Sequence, residues 1–493
     1  NITTENKAGI GNLTAVLSLN GAAETIPLNP PAGMLTPIDM RLGSIEHTFD
    51  NSYTAIISKE WILPGLEIVI EGNDTNIVLD GLKIGAPNKM IMNMFDLHFF
   101  ELSPGDYPEG WKEELEAKLP VSEIALMRVP NIVFSELTVP ARAGAPAARI
   151  SSKEDYKTIT GLNFDGEQLA ASQWAGALRT AAGYSGRYAL YYFNIYGVFA
   201  GGQAGGYSGV GSGTSLGILN HELGHALSLP HWGNKADYPY RDEMFGIPAP
   251  EVFNGVHVGP SWGFDMPTKT FIPPTVQSNA VGGVEGTYKK DPMQGGGSGD
   301  QEEGFLMRHF SNYSMNKMQN YLQNHIAVNN SGNGTYAKWD TATNSYSDVL
   351  SNNGVQYATT QNVEVISVMA GVSSVTPQAT IVYPPIGPYN SGLISVFDPA
   401  LEADRLMARD IYCPDNGCDV SLRITQGGQI KTRMLPIGLD GSADPLSSKS
   451  FNTKAVNLAA SDGAVTKIEL IATPDAEING LPDNPELLYS WEN

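Results

Sequence analysis

Apolar and polar positions follow different patterns in different parts of the chain, and each pattern predicts a different kind of structure. Residues 1–87 and 348–493 carry short runs that alternate apolar and polar positions, separated by turn sequences rich in Gly, Pro and Asn. Such runs predict strands with one buried face. Residues 88–347 instead mix strand-like runs with stretches of helical spacing. We therefore predict a central α+β domain at 88–347, flanked by all-β, sandwich-like domains at 1–87 and 348–493.

The central region contains long segments of clear periodicity. The strand-like runs cover residues 90–100, 121–134 and 187–196. The helix-like runs cover residues 111–118, 166–182, 214–229 and 314–325. Apolar residues three and four positions apart place one stripe of each helix against a core. This mixture predicts a sheet covered by helices, with the helix at 214–229 following a Gly-rich stretch.

The charge of the chain limits its partners. Its 493 residues include 52 acidic and 30 basic ones, a formal net charge of −22. Nucleic acids and anionic membranes attract positive surfaces, so we expect neither as a partner. No run of 18 or more apolar residues occurs, so we expect no membrane span. We expect a monomer that is secreted or displayed on a bacterial cell surface.

The two cysteines point to the same setting. Cys413 and Cys418 flank the turn sequence Pro-Asp-Asn-Gly, which brings the chain back on itself. We predict a local disulfide between them, and disulfides persist in oxidising, exported settings. Two metal-binding thiols are the alternative, but neither a second Cys pair nor a nearby His accompanies them.

The helix at 214–229 carries the clearest chemical signal of the chain. His221 and His225 are four residues apart, so their imidazoles lie on one helix face one turn apart. His231 follows just beyond Pro230, where the helix must stop. Three neutral imidazoles suit one catalytic zinc ion and leave a coordination position open. Glu222 lies next to the first ligand, where it can act as a general base without binding the metal.

The spacing fits the metzincin pattern H-E-x-x-H-x-x-G-x-x-H with one departure. Ser228 stands where that pattern has Gly. Gly can adopt the positive φ that this sharp turn requires, whereas a non-Gly residue there lowers the stability of the turn by roughly 1 kcal/mol. We therefore expect a strained but intact turn at Ser228, with all three histidines still in place.

The segments on either side of this motif complete the predicted site. The Gly-rich residues 197–213 predict a loop and edge strand that line a cleft, where a peptide can add as a further strand. Residues 232–290 are rich in aromatic residues, Pro and Gly, and serve equally well as substrate contacts or as packing. His257 in this segment is a weaker third ligand than His231.

A metzincin also needs a methionine in a tight turn below the metal. Met293 lies in the turn sequence Asp291-Pro292-Met293-Gln294-Gly295 at a suitable distance downstream, and we favour it. The other methionines of this part of the chain are Met307, Met315 and Met318. The last two fall on the predicted helix at 314–325, where Met usually belongs to a core.

Several short motifs in a fixed order resemble a known family. They are Leu119-Pro120-Val121-Ser122, Gly209-Val210-Gly211-Ser212-Gly213, Asn220 to His225 with His231, Trp262-Gly263-Phe264-Asp265, Asp291 to Gly296, and Gly334 to Asp340. Residues 88–340 thereby resemble the StcE-like and dictomallein-like secreted bacterial metalloproteases, which include the ToxR-regulated TagA lipoproteins. The resemblance covers about half the chain and does not clearly reach the two flanks.

The resemblance implies a virulence-associated metzincin mucinase, a protease that cleaves mucin-type, O-glycosylated proteins. It makes His221, His225 and His231 the ligands of a single Zn²⁺ and Glu222 the general base. It also makes Met293 the methionine of the Met-turn. Two departures bear on the substrate. Trp232 follows the third histidine where the family usually has Tyr, and Asn163-Phe164 stand where the family has an aromatic-His pair.

Two other functions remain open on the sequence alone. One is a general metzincin protease that acts on unglycosylated protein. The other is a glycan-binding adhesin in which the protease module is vestigial and the two β domains carry the binding. Both keep a protein or glycoprotein as the partner.

Overall fold

The structure is a computed structural model, and it describes most of the chain in separate stretches. The described residues are 2–3, 11–30, 52–72, 75–79, 82, 84–103, 105–183, 188–197, 201–213, 215–231, 252–253, 256–257, 263–265, 270–272, 291–294, 306–330, 335–349, 358, 360–395, 397–413 and 417–493. Trp232 and most of the aromatic segment at 232–290 lie outside these residues.

The N-terminal part is built on an antiparallel sheet of four strands in the order β3-β2-β5-β6. Its strands are β1 Ile2–Thr3, β2 Thr14–Leu19, β3 Ala22–Pro27, β4 Ser52–Tyr53, β5 Glu67–Gly72 and β6 Thr75–Leu79. A 3₁₀ turn, Lys59–Trp61, precedes β5. Strand β2 alternates buried and half-buried positions, as its apolar-polar alternation predicts. Its buried residues pack with those of β5 in one apolar cluster.

The central part is organised on a sheet of five strands in the order β12-β13-β11-β7-β8. These strands are β7 Lys89–Phe99, β8 Glu123–Phe134, β11 Ala189–Tyr196, β12 Gly202–Gly205 and β13 Ser208–Ser212. Neighbouring strands are parallel except for β12, which runs antiparallel to β13 and forms one edge of the sheet. Strand β7 is apolar on both faces and is buried on both, as an inner parallel strand must be.

The central part also contains helices and short strands outside this sheet. They are α1 Trp111–Ala117, β9 Leu137–Val139, β10 Ala148–Ile150, α2 Lys153–Thr160, α3 Gly166–Leu169, α4 Ala175–Ala181, α5 Leu216–Ala226, β14 Val252–Phe253, β15 Val256–His257, β16 Gly263–Asp265, β17 Thr270–Ile272, α6 Asn312–His325, β18 Val328–Asn330, β19 Thr335–Asp340 and β20 Ser345–Asp348. A π-helical turn, Ala170–Trp174, joins α3 to α4, and Pro292–Gln294 form a 3₁₀ turn.

The two faces of the sheet pack against different elements. Residues Met90, Met92 and Met94 of β7 face α5 and α6 in one apolar cluster. Phe95 and Leu97 belong to a second cluster that includes α3, α4 and residues of the C-terminal part. The sheet is therefore covered on both sides, by the metal-motif helix on one and by the C-terminal strands on the other.

The C-terminal part contains two sheets of four strands each. Their elements are β21 Thr360–Ser373, β22 Ile381–Val382, β23 Ile386–Leu393, α7 Glu402–Ile411, β24 Val420–Gln426, β25 Gln429–Leu435, β26 Phe451–Ala459, β27 Val465–Ala472, α8 Ala476–Asn479 and β28 Leu487–Glu492. In the first sheet β21 pairs with β22, β23 and β26, and the second has the order β25-β24-β27-β28. Buried residues from both sheets form a single apolar cluster. The sandwich-like character of the flanks and the boundaries at 87 and 347 stay predictions.

Two local features complete the fold. Cys413 and Cys418 are joined by a disulfide after α7. In the described part of the chain, the helices are too short or too polar for any of them to cross a bilayer.

Candidate metal centre

Helix α5 is buried on nearly all sides, which fixes the position of its functional residues. The Ser215 side chain caps its N-terminus by accepting a hydrogen bond from the Ile218 N–H at 3.3 Å. The first four residues of α5, Leu216 to Leu219, are apolar or Gly, and nine of the helix's eleven residues are buried. His221 is 7% exposed and Glu222 is 4% exposed. The helix therefore presents these two side chains from a rigid, packed support.

The C-terminus of α5 turns sharply, as the motif predicts. The Ser228 N–H donates to the His225 carbonyl and the Leu229 N–H donates to the Gly224 carbonyl, both at 2.9 Å. This pair of bonds is a Schellman motif, with its left-handed residue at Ser228. The φ of Ser228 is +75°, so the predicted positive φ at a non-Gly residue is confirmed. The turn returns the chain toward the helix and brings His231 back to the face that carries His221 and His225.

The three histidines converge on one point. The Nε2 atom of His231 lies 3.1 Å from the Nε2 atom of His221 and 3.1 Å from that of His225. A tetrahedral zinc ion with Zn–N bonds of about 2.0–2.1 Å sets its nitrogen ligands roughly 3.3 Å apart. Both separations are therefore close to the spacing that such an ion requires.

Backbone carbonyls fix the tautomers of two of these rings. The Nδ1 atom of His221 lies 2.7 Å from the Pro292 carbonyl oxygen. The Nδ1 atom of His225 lies 2.7 Å from the Leu229 carbonyl oxygen. A carbonyl can only accept, so each Nδ1 carries the proton and each Nε2 presents a bare lone pair. Both 3.1 Å separations run to the Nε2 atom of His231, and a single N–H on that atom cannot point at both lone pairs, whereas a cation among the three nitrogens can be coordinated by all of them. The donor set therefore fits a divalent metal.

The surroundings keep these rings neutral. Burial lowers the pKa of His221 to about 4, and it also lowers the pKa of His225. Both imidazoles are then unprotonated at neutral pH, which is the form that binds metal. His231 is exposed at the rim of the site, whereas Trp232 lies outside the described residues.

Glu222 is next to His221 in the chain and lies against β12 at the edge of the sheet. A Cβ atom built on Gly202 of β12 would come within 2.4 Å of its Cγ and 2.5 Å of its Oε1. Gly202 thus leaves the space that the Glu222 side chain occupies. Strand β12 is an edge strand of the sheet, so an extended peptide added beside it would lie near Glu222.

Met293 lies below the helix. It is fully buried, and a Cβ on Gly224 would come within 2.4 Å of its Sδ and 3.1 Å of a Phe310 ring carbon. Gly224 is adjacent to His225 and about one turn from His221, so Met293 lies beneath the part of α5 that carries these two histidines. Met307 and Met318 belong to the same apolar cluster but are separate from this contact.

The structure gives no such support to two other residues. Phe164 packs against Phe99, Phe100 and Tyr156, with ring centroids 5.1–5.4 Å apart. That group belongs to the cluster on the opposite face of the sheet from α5. A role for Phe164 in substrate binding stays a prediction that these contacts do not favour. The side chain of His257 lies outside the described residues, and the third position beside His221 and His225 holds His231.

Residues that sequence reasoning missed act through the backbone. Pro292 and Leu229 orient two of the histidines with carbonyl oxygens, and Gly202 makes room for Glu222. A carbonyl leaves no signal in the type of its residue. Gly202 does lie in the Gly-rich stretch that predicts the cleft edge, but the sequence does not distinguish it from the other glycines there.

Comparison with known proteins decides the family. The model of peptidase family M66 matches residues 46–327, which include the three histidines, Glu222 and Met293. This chain belongs to peptidase family M66. It is therefore a peptidase with a protein substrate.

Individual relatives are similar to this chain over most of their length. The chain is 29% identical to dictomallein of Burkholderia mallei (strain SAVP1), over 94% of this chain and 74% of the relative. Dictomallein of Burkholderia pseudomallei (strain 1710b) gives the same figures. Dictomallein-2 of Dictyostelium discoideum is 28% identical over 89% of this chain and 81% of the relative. The similarity therefore reaches well beyond residues 88–340 and into both flanks, where the short motifs gave no clear resemblance.

Proposed function

We propose that this member of family M66 is a zinc metalloendopeptidase of the metzincin type that acts on mucin-type, O-glycosylated proteins. One observation carries the core of the proposal. The Nε2 atoms of His221 and His225 each lie 3.1 Å from the Nε2 atom of His231, beside a buried Glu222 and the edge strand β12. The substrate class rests on the family resemblance of the short motifs. The strand order with its antiparallel edge strand and the buried Met293 support the metzincin assignment.

The chemistry divides between the metal and the protein. A bound zinc ion supplies a Lewis acid and lowers the pKa of a coordinated water from about 15.7 toward 7. The chain supplies the rest. The outer edge of β12 holds the substrate backbone extended, so that a scissile carbonyl passes close to Glu222. Glu222 takes a proton from the attacking water and then gives it to the leaving amine.

The surroundings of Glu222 suit this role. Its carboxylate is nearly excluded from solvent and is carried by a buried helix. Its position is therefore set by packing rather than by free rotation. Positioning of this kind is where a general base gains much of its effect.

The exported setting belongs to the proposal as well. The Cys413–Cys418 disulfide is of the kind that persists in oxidising compartments. We propose that the protein is secreted or displayed on the cell surface.

The first experiment tests the metal and the base separately. Glu222→Gln is expected to retain one zinc per chain and the wild-type melting temperature. Its peptide hydrolysis should fall by about 10²–10⁴-fold, the usual contribution of a general base. His231→Ala is expected to lose zinc, as measured by elemental analysis. Wild-type activity in Glu222→Gln would refute the role of Glu222, and full zinc content in His231→Ala would transfer the third position to another group.

A second experiment tests the substrate class. Cleavage of a mucin is compared with cleavage of the same mucin after enzymatic removal of its O-glycans. The proposal expects faster cleavage of the glycosylated form. Equal or faster cleavage of the stripped protein would favour a general metzincin protease. Binding of mucin by wild-type protein without turnover of either form would favour the adhesin.

A further inference from the structure

The turn that carries Met293 is fixed by a buried carboxylate. Asp291 is 1% exposed. Its Oδ1 accepts a hydrogen bond from the Met293 N–H at 2.8 Å. Its Oδ2 accepts from the Ser311 N–H, the Ser311 hydroxyl and the Ser314 hydroxyl, each at 2.7 Å. Ser311 is the N-cap of α6, so Asp291 ties the turn to the start of that helix.

The same carboxylate is connected to a metal ligand through one peptide group. The Met293 N–H, which Asp291 holds, belongs to the same planar unit as the Pro292 carbonyl. The Pro292 carbonyl accepts the Nδ1–H of His221 at 2.7 Å. In a trans peptide the N–H and C=O point in opposite directions. The chain of bonds therefore runs from the carboxylate through a rigid peptide to the imidazole.

This connection has two physical consequences. It fixes the direction of the Pro292 carbonyl, and hence the rotation of the His221 ring. A negative charge at the N–H end also polarises the peptide and makes its carbonyl a stronger acceptor. A stronger acceptor at Nδ1 raises the basicity of the ligating Nε2.

We propose that Asp291 is a positioning residue for the metal centre, which acts on His221 through the Pro292–Met293 peptide. The inference rests on the proposed zinc function. Asp291 contacts neither the predicted metal position nor the substrate in this arrangement. Its role is to hold the orientation and the tautomer of one ligand.

The variant Asp291→Asn tests the idea with little change in volume. An asparagine presents one oxygen and one NH₂ group where the carboxylate presents two acceptors. If the oxygen keeps the Met293 N–H, the NH₂ group faces the Ser311 N–H, which can only donate. If the amide is reversed, the bond to Met293 is lost instead. Either way the peptide that holds His221 loses part of its support.

A matched control is available in the same part of the protein. Asp96 is also a buried carboxylate, 3% exposed, and accepts hydrogen bonds from Asn194 and Arg128 at 2.7 Å each. Its bonds link β7, β8 and β11 rather than a metal ligand. Asp96→Asn is therefore expected to cost stability without affecting the metal.

The measurements are made on the full chain. Zinc affinity is obtained by competition with a chromophoric chelator, and the ligand geometry from the visible absorption of the Co²⁺-substituted protein. Asp291→Asn is expected to bind zinc 10–100-fold more weakly, the usual effect of losing a group that supports a ligand, with an altered Co²⁺ spectrum. Asp96→Asn should match the wild type in both, even where its melting temperature is lower. Ser314→Ala removes one of the four bonds and should give a smaller loss of affinity.

The outcomes separate this inference from the proposed function. Wild-type zinc affinity and Co²⁺ spectrum in Asp291→Asn would overturn the positioning role while leaving the zinc site intact. If Asp291→Asn does not fold, Ser314→Ala decides, and an unchanged affinity in that variant overturns the role. An equal loss of affinity in Asp96→Asn would show a general effect of stability and would also overturn it. A wild-type chain that binds no zinc would refute the proposed function and this inference with it.

Discussion

Gly202 offers the sharpest test of how the fold positions Glu222. A Cβ atom at Gly202 would lie 2.4 Å from Glu222 Cγ, whereas ordinary contacts of this kind begin at 3.4 Å. The Glu222 side chain must therefore retreat by about 1 Å in Gly202→Ala. Because the contact involves Cγ and the residue is 4% exposed, rotation of the carboxylate alone does not relieve it.

The expected cost follows from that displacement. A misplacement of about 1 Å in a catalytic group can lower the rate about 10²-fold, or roughly 2.7 kcal/mol in the activation barrier. Gly202 is part of strand β12 and is absent from the residues with positive φ, so alanine suits its backbone. We expect Gly202→Ala to fold and to bind zinc like the wild type.

The matched control lies on the same strand. A Cβ at Gly205 would meet nothing within 4 Å, so Gly205→Ala should retain wild-type activity. The assay is kcat/KM on a peptide or glycoprotein substrate, with zinc content and melting temperature measured on the same samples. Activity of Gly202→Ala within a factor of about three of the wild type would refute the reasoning, since the stated shift predicts a far larger loss. Loss of zinc in Gly202→Ala would show instead that the strand supports the metal ligands.

Three further predictions concern stability. Ser228→Gly should raise the free energy of unfolding by up to about 1 kcal/mol, because Gly adopts the φ of +75° without strain. Ser228→Val should lower the free energy of unfolding. Denaturant titration of both variants checks this prediction. Gly224→Ala should lower the free energy of unfolding by about 1–3 kcal/mol, because its Cβ overpacks against Met293. Gly176→Ala is the control, since a Cβ there meets nothing within 4 Å, and helix propensity should raise the free energy of unfolding by up to about 1 kcal/mol. Equal effects of the two substitutions would contradict the packing argument. Removal of zinc with a chelator should lower the melting temperature of the wild type, because zinc that exceeds its Kd about 1,000-fold stabilises the folded chain by about 4.1 kcal/mol. The melting temperature of His231→Ala should not change.

Local signals in the sequence predicted the elements that carry the motif. The helix predicted at 214–229 is α5, Leu216–Ala226, and the strand predicted at 187–196 is β11, Ala189–Tyr196. In each case the apolar spacing and the neighbouring glycines act within a few residues of one another. The turn at Ser228 was predictable for the same reason. The spacing to His231 admits only a sharp reversal there.

Other elements were missed although their signals are local. Helix α2 has Ser152 as its N-cap, bonded to the Asp155 N–H at 3.1 Å, and it ends at Gly161 with a φ of +70°. Both residues are standard helix boundaries, but the polar sequence between them lacks a strong apolar stripe. Helix α7, Glu402–Ile411, interrupts a region that reads as β throughout. The surrounding strand-like runs hide α7, whereas the weak apolar stripe hides α2.

The remaining features depend on contacts between distant parts of the chain. The bond between His221 and Pro292 joins residues 71 positions apart. The packing of β7 against the C-terminal strands joins Phe95 to Tyr389, whose ring centroids lie 5.1 Å apart. Neither contact has a counterpart in periodicity or spacing, since each depends on how distant segments of the chain pack together. Sequence alone therefore indicated the ligands but not the groups that orient them.

The orientation of the histidines by backbone carbonyls explains how the site tolerates Ser228 in place of Gly. The ring of His225 is oriented by the Leu229 carbonyl, and that carbonyl is placed by the backbone bonds of the Schellman turn. The ring of His221 is oriented in the same way by the Pro292 carbonyl. Neither contact uses a side chain of the turn. A residue that can adopt the left-handed conformation at modest cost therefore keeps the ligand geometry intact, and the exposed Ser228 side chain is free to vary without moving the histidines.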